Sequence, residues 1–247
     1  MKNKIETYNL TSSYQNLPIK VLYRKGKKKA GTTLVLNPGA FEKAFGDDER
    51  YKHILLWLQN NLKCKPNIVW YETARKNDPA IIPSNKGEYW SEIFKGKRFE
   101  HELDDVRKIY KFIKTKQIYS LGFSLGGTLG LILAPEFPSV QKLCAIGSAI
   151  STKRKHFPIL TGYPLKKSII KKLGEYKYDF NILQGSEEEV VPVGDASIIF
   201  RSLNKANLAI STHIKGANHM FSGKNTFGLI HGEKLLTHIK NFFETNI

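Results

Sequence analysis

The chain has 247 residues, 41% of them hydrophobic and 11% aromatic, enough to bury a sizeable core in one large α/β domain or two small ones. Its longest apolar runs, Leu129 to Ala134 and Leu143 to Ile150, fall far short of the ~18 residues a membrane span needs, and no apolar signal region follows Met1-Lys2-Asn3-Lys4, so a cytoplasmic protein without a transmembrane segment is expected. The net charge of +17 comes from dispersed lysines with no aromatic-basic motif; no specific nucleic-acid partner is expected, and peripheral contact with anionic surfaces is the minority reading.

Residues 5 to 11 and 18 to 25 read as two short strands, followed by a solvated basic turn, Arg24-Lys25-Gly26-Lys27-Lys28-Lys29. Thr32 to Leu36 is a continuous apolar strand with both faces buried, ending in Asn37-Pro38-Gly39-Ala40-Phe41. Small residues in that ending let main chain approach a reacting oxygen closely, with Ala40 the first candidate for a backbone donor and Phe41 the second. Asp47 and Asp48 can cap a helix carrying Tyr51, Ile54, Leu55, Leu58 and Leu62 on one face, and Asn67 to Tyr71 makes the next buried strand. Between Glu72 and Lys97, prolines and glycines interrupt the pattern around Tyr89, Trp90 and Phe94. A long connection is expected there; plain surface packing of its aromatics is the leading reading, and the alternative has it overhang the site, with Phe41 and Trp90 as candidates for substrate contact.

Phe99, Leu103, Val106, Tyr110 and Ile113 recur at helical spacing, and the helix they form delivers the chain into the strand Gln117 to Leu121. That strand runs into Gly122-Phe123-Ser124-Leu125-Gly126-Gly127, then a small-residue helix, Thr128 to Ala134. Glycines two before and two after Ser124 are what a sharp strand-turn-helix corner requires, because strand and helix pass each other closely there. Leu125 opens the helix, so its N–H can point at a developing oxyanion with the helix dipole behind it.

Val140 to Ile150 and Tyr178 to Leu183 supply two more strands. Between them lies a short insertion, about 151–178, with one helix near Leu165 to Leu173 and little room for a lid. Strands alternating with helices imply a mostly parallel sheet whose functional groups gather at the carboxyl ends of the strands. Two later strand ends carry the right chemistry: Gly185-Ser186-Glu187-Glu188-Glu189-Val190-Val191-Pro192, and Gly216-Ala217-Asn218-His219 after the strand Leu208 to Ile214. Cys64 and Cys144 stand in no metal-ligand spacing and read as structural thiols.

Over essentially its whole length the sequence resembles the α/β-hydrolase family. Gly122-Phe123-Ser124-Leu125-Gly126-Gly127 looks like the family's nucleophile elbow, and the order serine, acid, histidine is the family's order. The resemblance implies one α/β domain over 1–247: a mostly parallel central sheet flanked by helices, with a minimal cap. It further implies Ser124 as nucleophile, His219 as base, and Glu188 at the acid position, with glutamate where aspartate is commoner. Glu187, Glu189 and Asp195 stand close by as alternatives. Leu125 and Ala40 would form the oxyanion hole, although Pro38 precedes Gly39 where many members have histidine. The implied activity is hydrolysis of a small carboxylic ester without cofactor or metal; a thioesterase, an acyl-peptide hydrolase, or an idle scaffold binding an anionic partner are the alternatives.

Overall fold

The apolar runs become strands, and the eight strands of the described residues lie in one sheet. The computed structural model describes residues 4–27, 30–40, 50–76, 86–152, 157–221 and 232–245. In chain order the strands are β1 (Ile5–Thr11), β2 (Pro18–Arg24), β3 (Thr32–Asn37), β4 (Asn67–Glu72), β5 (Gln117–Phe123), β6 (Val140–Ile146), β7 (Asp179–Gly185) and β8 (Leu208–Ile214). Across the sheet they run β1-β2-β4-β3-β5-β6-β7-β8. β2 runs antiparallel to both its neighbours, β1 and β4, and every adjacent pair from β4 to β8 is parallel. This is the mostly parallel α/β sheet the sequence implies.

Every residue of β3 and β4 is buried, as expected for strands covered on both faces. Successive side chains alternate between two cores. Leu34, Leu36, Trp70 and Leu121 pack under α1 (Arg50–Asn61) and α7 (Gly232–Glu244), through Leu55, Leu58, Leu235 and Ile239. Val35, Val69 and Leu143 pack on the opposite face under α3 (Phe99–Phe112), α4 (Leu125–Leu133), α5 (Lys166–Leu173) and α6 (Val193–Ser202). Of the apolar stripe its spacing predicts, Phe99, Val106 and Tyr110 are buried in α3, together with Ile109, while Leu103 and Ile113 are half-buried; Glu100 and Glu102 sit in its first turn, where the helix dipole favours acids.

Three elements differ from the sequence expectation. A helix, α2 (Lys86–Ile93), forms within the stretch expected to be a long connection. β6 stops at Ile146 instead of reaching Ile150, because Gly147 turns the chain with φ of 54°. α6 follows Pro192 directly, where no helix was foreseen. The expected caps Asp47 and Asp48 lie outside the described residues. No helix of the described residues is long and apolar enough to cross a membrane.

The start of α3 is fastened to the end of β4 by buried charge. Lys97 Nζ lies 2.7 Å from Glu102 and 2.9 Å from Asp105, and donates to the Ala74 carbonyl at 2.7 Å. Asp105 also accepts from the Ala74 N–H at 3.0 Å and from the Ser12 hydroxyl. Burial raises the Asp105 carboxyl above its ordinary value, against the pull of Lys97. Removing the cation would leave two buried carboxylates uncompensated, so Lys97→Ala is expected to destabilise the fold by about 3–5 kcal/mol. Urea unfolding checks this, and a midpoint unchanged from the parent would contradict it.

The topology also fixes where a site can form. From β3 the chain crosses to β4 on one side, then returns to β5 on the other. At such a switch the loops leaving two neighbouring strands diverge, and a crevice opens at their carboxyl ends. β3 and β5 pair in register from Thr32↔Gln117 to Asn37↔Gly122. Asn37-Pro38-Gly39-Ala40 and Phe123-Ser124-Leu125 therefore leave the sheet side by side.

Candidate active site

Ser124 sits at the corner between β5 and α4 with φ 48° and ψ −119°. A non-glycine residue held at positive φ stores strain of about 1–3 kcal/mol, which the surroundings must impose. They do so by close packing. A Cβ at Gly122 would lie 2.4 Å from Gly127 Cα, and one at Gly126 would lie 2.2 Å from the Asn37 carbonyl oxygen. The spacing argument read from the sequence is thus a matter of space in the fold. The Ser124 N–H donates to the Ile146 carbonyl at 2.8 Å, continuing the β5–β6 pairing into the corner. As first residue of α4, Leu125 has an N–H with no acceptor within the helix.

Beneath the oxyanion-loop candidate lies a buried polar network. The Asn37 amide donates to Ser120 Oγ at 2.9 Å and to the Tyr110 hydroxyl at 3.2 Å, and its oxygen accepts from the Tyr71 hydroxyl at 2.7 Å. Three side chains, from β4, β5 and α3, thereby pin the last residue of β3. Pro38, Gly39 and Ala40 leave from that pinned point, and the Gly39 N–H donates to the Tyr51 hydroxyl at 3.2 Å. Sequence reading missed this network, since only tertiary contact brings Asn37, Tyr71, Tyr110 and Ser120 together.

The loops after β7 and β8 are zipped to one another. The Ser186 N–H donates to the Ile214 carbonyl at 3.0 Å, and the Glu187 N–H to the Ala217 carbonyl at 2.9 Å. Of the three consecutive glutamates, Glu187 and Glu189 are exposed and Glu188 is buried. Glu188 accepts from His219 Nδ1 with both oxygens, at 2.9 and 2.8 Å, and from the N–H groups of Val190 at 2.8 Å and Val191 at 3.1 Å. Burial alone would raise this carboxyl. The hydrogen bond and charge of His219, with the two backbone donors, outweigh burial and hold it below its ordinary value. An ionised carboxylate only accepts, so Nδ1 of His219 is the donating nitrogen, and in the neutral imidazole Nε2 is the lone-pair acceptor.

Asp195, the remaining acidic alternative, is engaged elsewhere. Its Oδ2 accepts from the Ile150 N–H at 3.0 Å and from Ser151 Oγ at 2.7 Å, and its Oδ1 from Lys166 Nζ at 2.6 Å. It fastens the loop after β6 and the start of α5 to α6.

Ser124, Leu125, Ala40 and His219 line one cavity of about 630 Å³, together with residues of the insertion and the acid loop. Gly147 lies under the acid-histidine pair: a Cβ there would stand 3.2 Å from His219 Nδ1 and 3.5 Å from Glu188 Oε2. Its signal in the sequence was a Gly-Ser pair inside an apolar run, which the strand reading absorbed. Ser124 and His219 form no hydrogen bond with each other among the described contacts, and catalytic contacts of this kind commonly tighten only in the complex with substrate. Trp90 packs on α2 against Phe94, with ring centroids 6.1 Å apart, and against the core; it is not among the cavity's described lining residues. The helical i,i+4 spacing that stacks Trp90 on Phe94 turns it inward. Phe41 lies outside the described residues.

No family model matches the sequence, and no curated protein matches it. Solved structures do match. The chain is similar to an esterase of Pyrococcus furiosus at 11% identity and a TM-score of 0.66, over 98% of this chain and 92% of that one. It is similar to Est1E of Butyrivibrio proteoclasticus at 12% identity and a TM-score of 0.65, over 95% and 97% of the two chains. A thioesterase domain from the curacin biosynthetic pathway matches at 10% identity and a TM-score of 0.67, over 97% and 100%. At such identities the likeness is one of fold. The chain has the α/β-hydrolase fold.

Proposed function

We propose that the chain is a serine hydrolase that cleaves a carboxylic ester through an acyl-enzyme. The observation that carries the reading is the Glu188–His219 bond, 2.8 Å at its shorter contact, on a cavity that the strained Ser124 also lines. A buried carboxylate on Nδ1 leaves Nε2 free to take the Ser124 proton while the Oγ attacks the substrate carbonyl carbon. The Leu125 and Ala40 N–H groups donate to the oxyanion that forms. Collapse of that intermediate breaks the bond to the leaving oxygen, which receives the proton from His219. Water, deprotonated by His219, then attacks the acyl carbon and releases the acid and Ser124. The likeness to esterase and thioesterase structures supports acyl transfer as the class of reaction.

Labelling with a fluorophosphonate probe tests this directly. Folded protein is expected to label at Ser124, shown by mapping the modified peptide, and labelling should vanish in Ser124→Ala and after heat denaturation. Folded protein that takes up no probe would reject the scheme.

A further inference from the structure

The wall of the cavity contradicts the charge of the chain. The protein carries a net +17, yet among the described residues lining the cavity there is no lysine or arginine. Apart from His219, the ionisable carboxylate of that lining is the exposed Glu189.

Three hydroxyls of the wall are already committed. Thr128 Oγ1 donates to the Ala149 carbonyl at 2.7 Å, Tyr163 donates to the same carbonyl at 2.9 Å, and Ser151 donates to Asp195 at 2.7 Å. A hydroxyl whose hydrogen is spent presents lone pairs only. An anionic group on a substrate would therefore meet acceptors and a like charge at these positions, and would lose its hydration without replacement. Much of the remaining wall is Leu160, Val190, Val191 and Pro192. The volume, about 630 Å³, is far more than an acetyl group fills and lies within the range of sites that enclose whole organic ligands.

The insertion forms a fixed part of this wall. Tyr163 is tethered to the loop after β6 through Ala149, its ring packs on Phe99 at 4.7 Å, and the Phe99 N–H donates to the Thr161 carbonyl at 3.0 Å. Lys166, at the start of α5, is held by Asp195 at 2.6 Å. Leu160 and Tyr163 are thus fastened from both sides, which favours a shaped pocket over a surface that any ester could graze.

We infer that the site selects esters bearing an uncharged apolar group well beyond acetyl in size, and discriminates against esters bearing a carboxylate or phosphate on that group. This rests on the hydrolytic reading above.

The test uses the purified full chain and two homologous series, p-nitrophenyl acyl esters from acetate to decanoate and acetate esters of lengthening alkanols. A methyl-terminated and a carboxylate-terminated acyl ester of equal length complete the panel. Burying a methylene contributes ~0.8 kcal/mol, so kcat/KM in at least one series is expected to climb about fourfold per added methylene until the cavity fills. The carboxylate-terminated ester is expected to fall at least about tenfold below its methyl-terminated partner. Val191→Lys, which adds a cation to the wall and keeps the backbone N–H that Glu188 accepts, should narrow that gap at least about fivefold. Acetate as the best substrate in both series, equal rates for the charged and uncharged partners, or an unchanged gap in folded Val191→Lys would each overturn the inference. If no ester is hydrolysed and no fluorophosphonate labelling occurs, the hydrolytic reading falls and takes this one with it. Labelling of Ser124 with no ester turnover, or turnover with a flat or inverted profile, overturns the selection alone.

Discussion

Ser124→Ala and His219→Ala are each expected to lower the turnover of an activated ester by about 10⁴–10⁶-fold, and the double variant to lose little more than either single one. The non-additivity follows from what each group does. Without the Ser124 Oγ, His219 has no proton to receive, and without His219 the hydroxyl stays protonated at neutral pH. Either variant leaves the backbone donors at Leu125 and Ala40 in position, so a residual rate above that in water should persist in both. Steady-state kinetics on the methyl-terminated ester, with circular dichroism to confirm folding, decides the matter. Wild-type turnover in Ser124→Ala would end the proposal. Losses that multiply in the double variant would mean that the two side chains act in separate steps.

The site was unevenly legible in the sequence, and the unevenness has physical causes. Ser124 could be found because the close approach of strand and helix leaves a local mark, glycine at 122 and 126, where a Cβ would strike main chain. The central strands could be found because burial on both faces demands continuous apolar runs, as in β3 and β4. Family resemblance pointed to Glu188, but three adjacent glutamates offer the same chemistry to a reader of sequence. Only the direction in which each side chain leaves the loop after β7 separates the buried Glu188 from its exposed neighbours. Gly147 left only a Gly-Ser pair inside an apolar run and Asn37 no local mark at all, since one lies beneath a histidine 72 residues on (219 − 147) and the other joins three partners from three elements. The segment around Trp90 was hidden for the converse reason. Prolines and glycines around it suggested a loop, whereas its own segment is helical and turns the indole to the core.

Glu188→Gln is expected to cost about 10⁴ in turnover, while Glu187→Gln and Glu189→Gln stay within a few-fold of the parent. The reason lies in which oxygen is held by what. Val190 and Val191 both donate to Oε1, at 2.8 and 3.1 Å, and His219 Nδ1 lies 2.9 Å from that oxygen and 2.8 Å from Oε2, which has no backbone donor of its own. In the glutamine variant the amide oxygen satisfies the two backbone donors, so the amide NH₂ turns toward the imidazole. Nδ1 must then accept, the ring proton moves to Nε2, and the base offers Ser124 a proton instead of a lone pair. The same carboxylate ties stability to acid pH. Its folded-state pKa is depressed below the ordinary 4.5, so its contribution is fully present above that value and is lost as pH falls through the lower, folded-state value. Denaturant midpoints measured downward from pH 6 should therefore fall more steeply in the parent than in Glu188→Gln, which has no proton to take up at this position. A parent and variant with parallel pH profiles would mean that the native contacts of Glu188 do not favour its ionised form. Loss of turnover in Glu189→Gln instead of Glu188→Gln would move the acid to the neighbouring exposed side chain, and with it the tautomer argument on which the role of His219 rests.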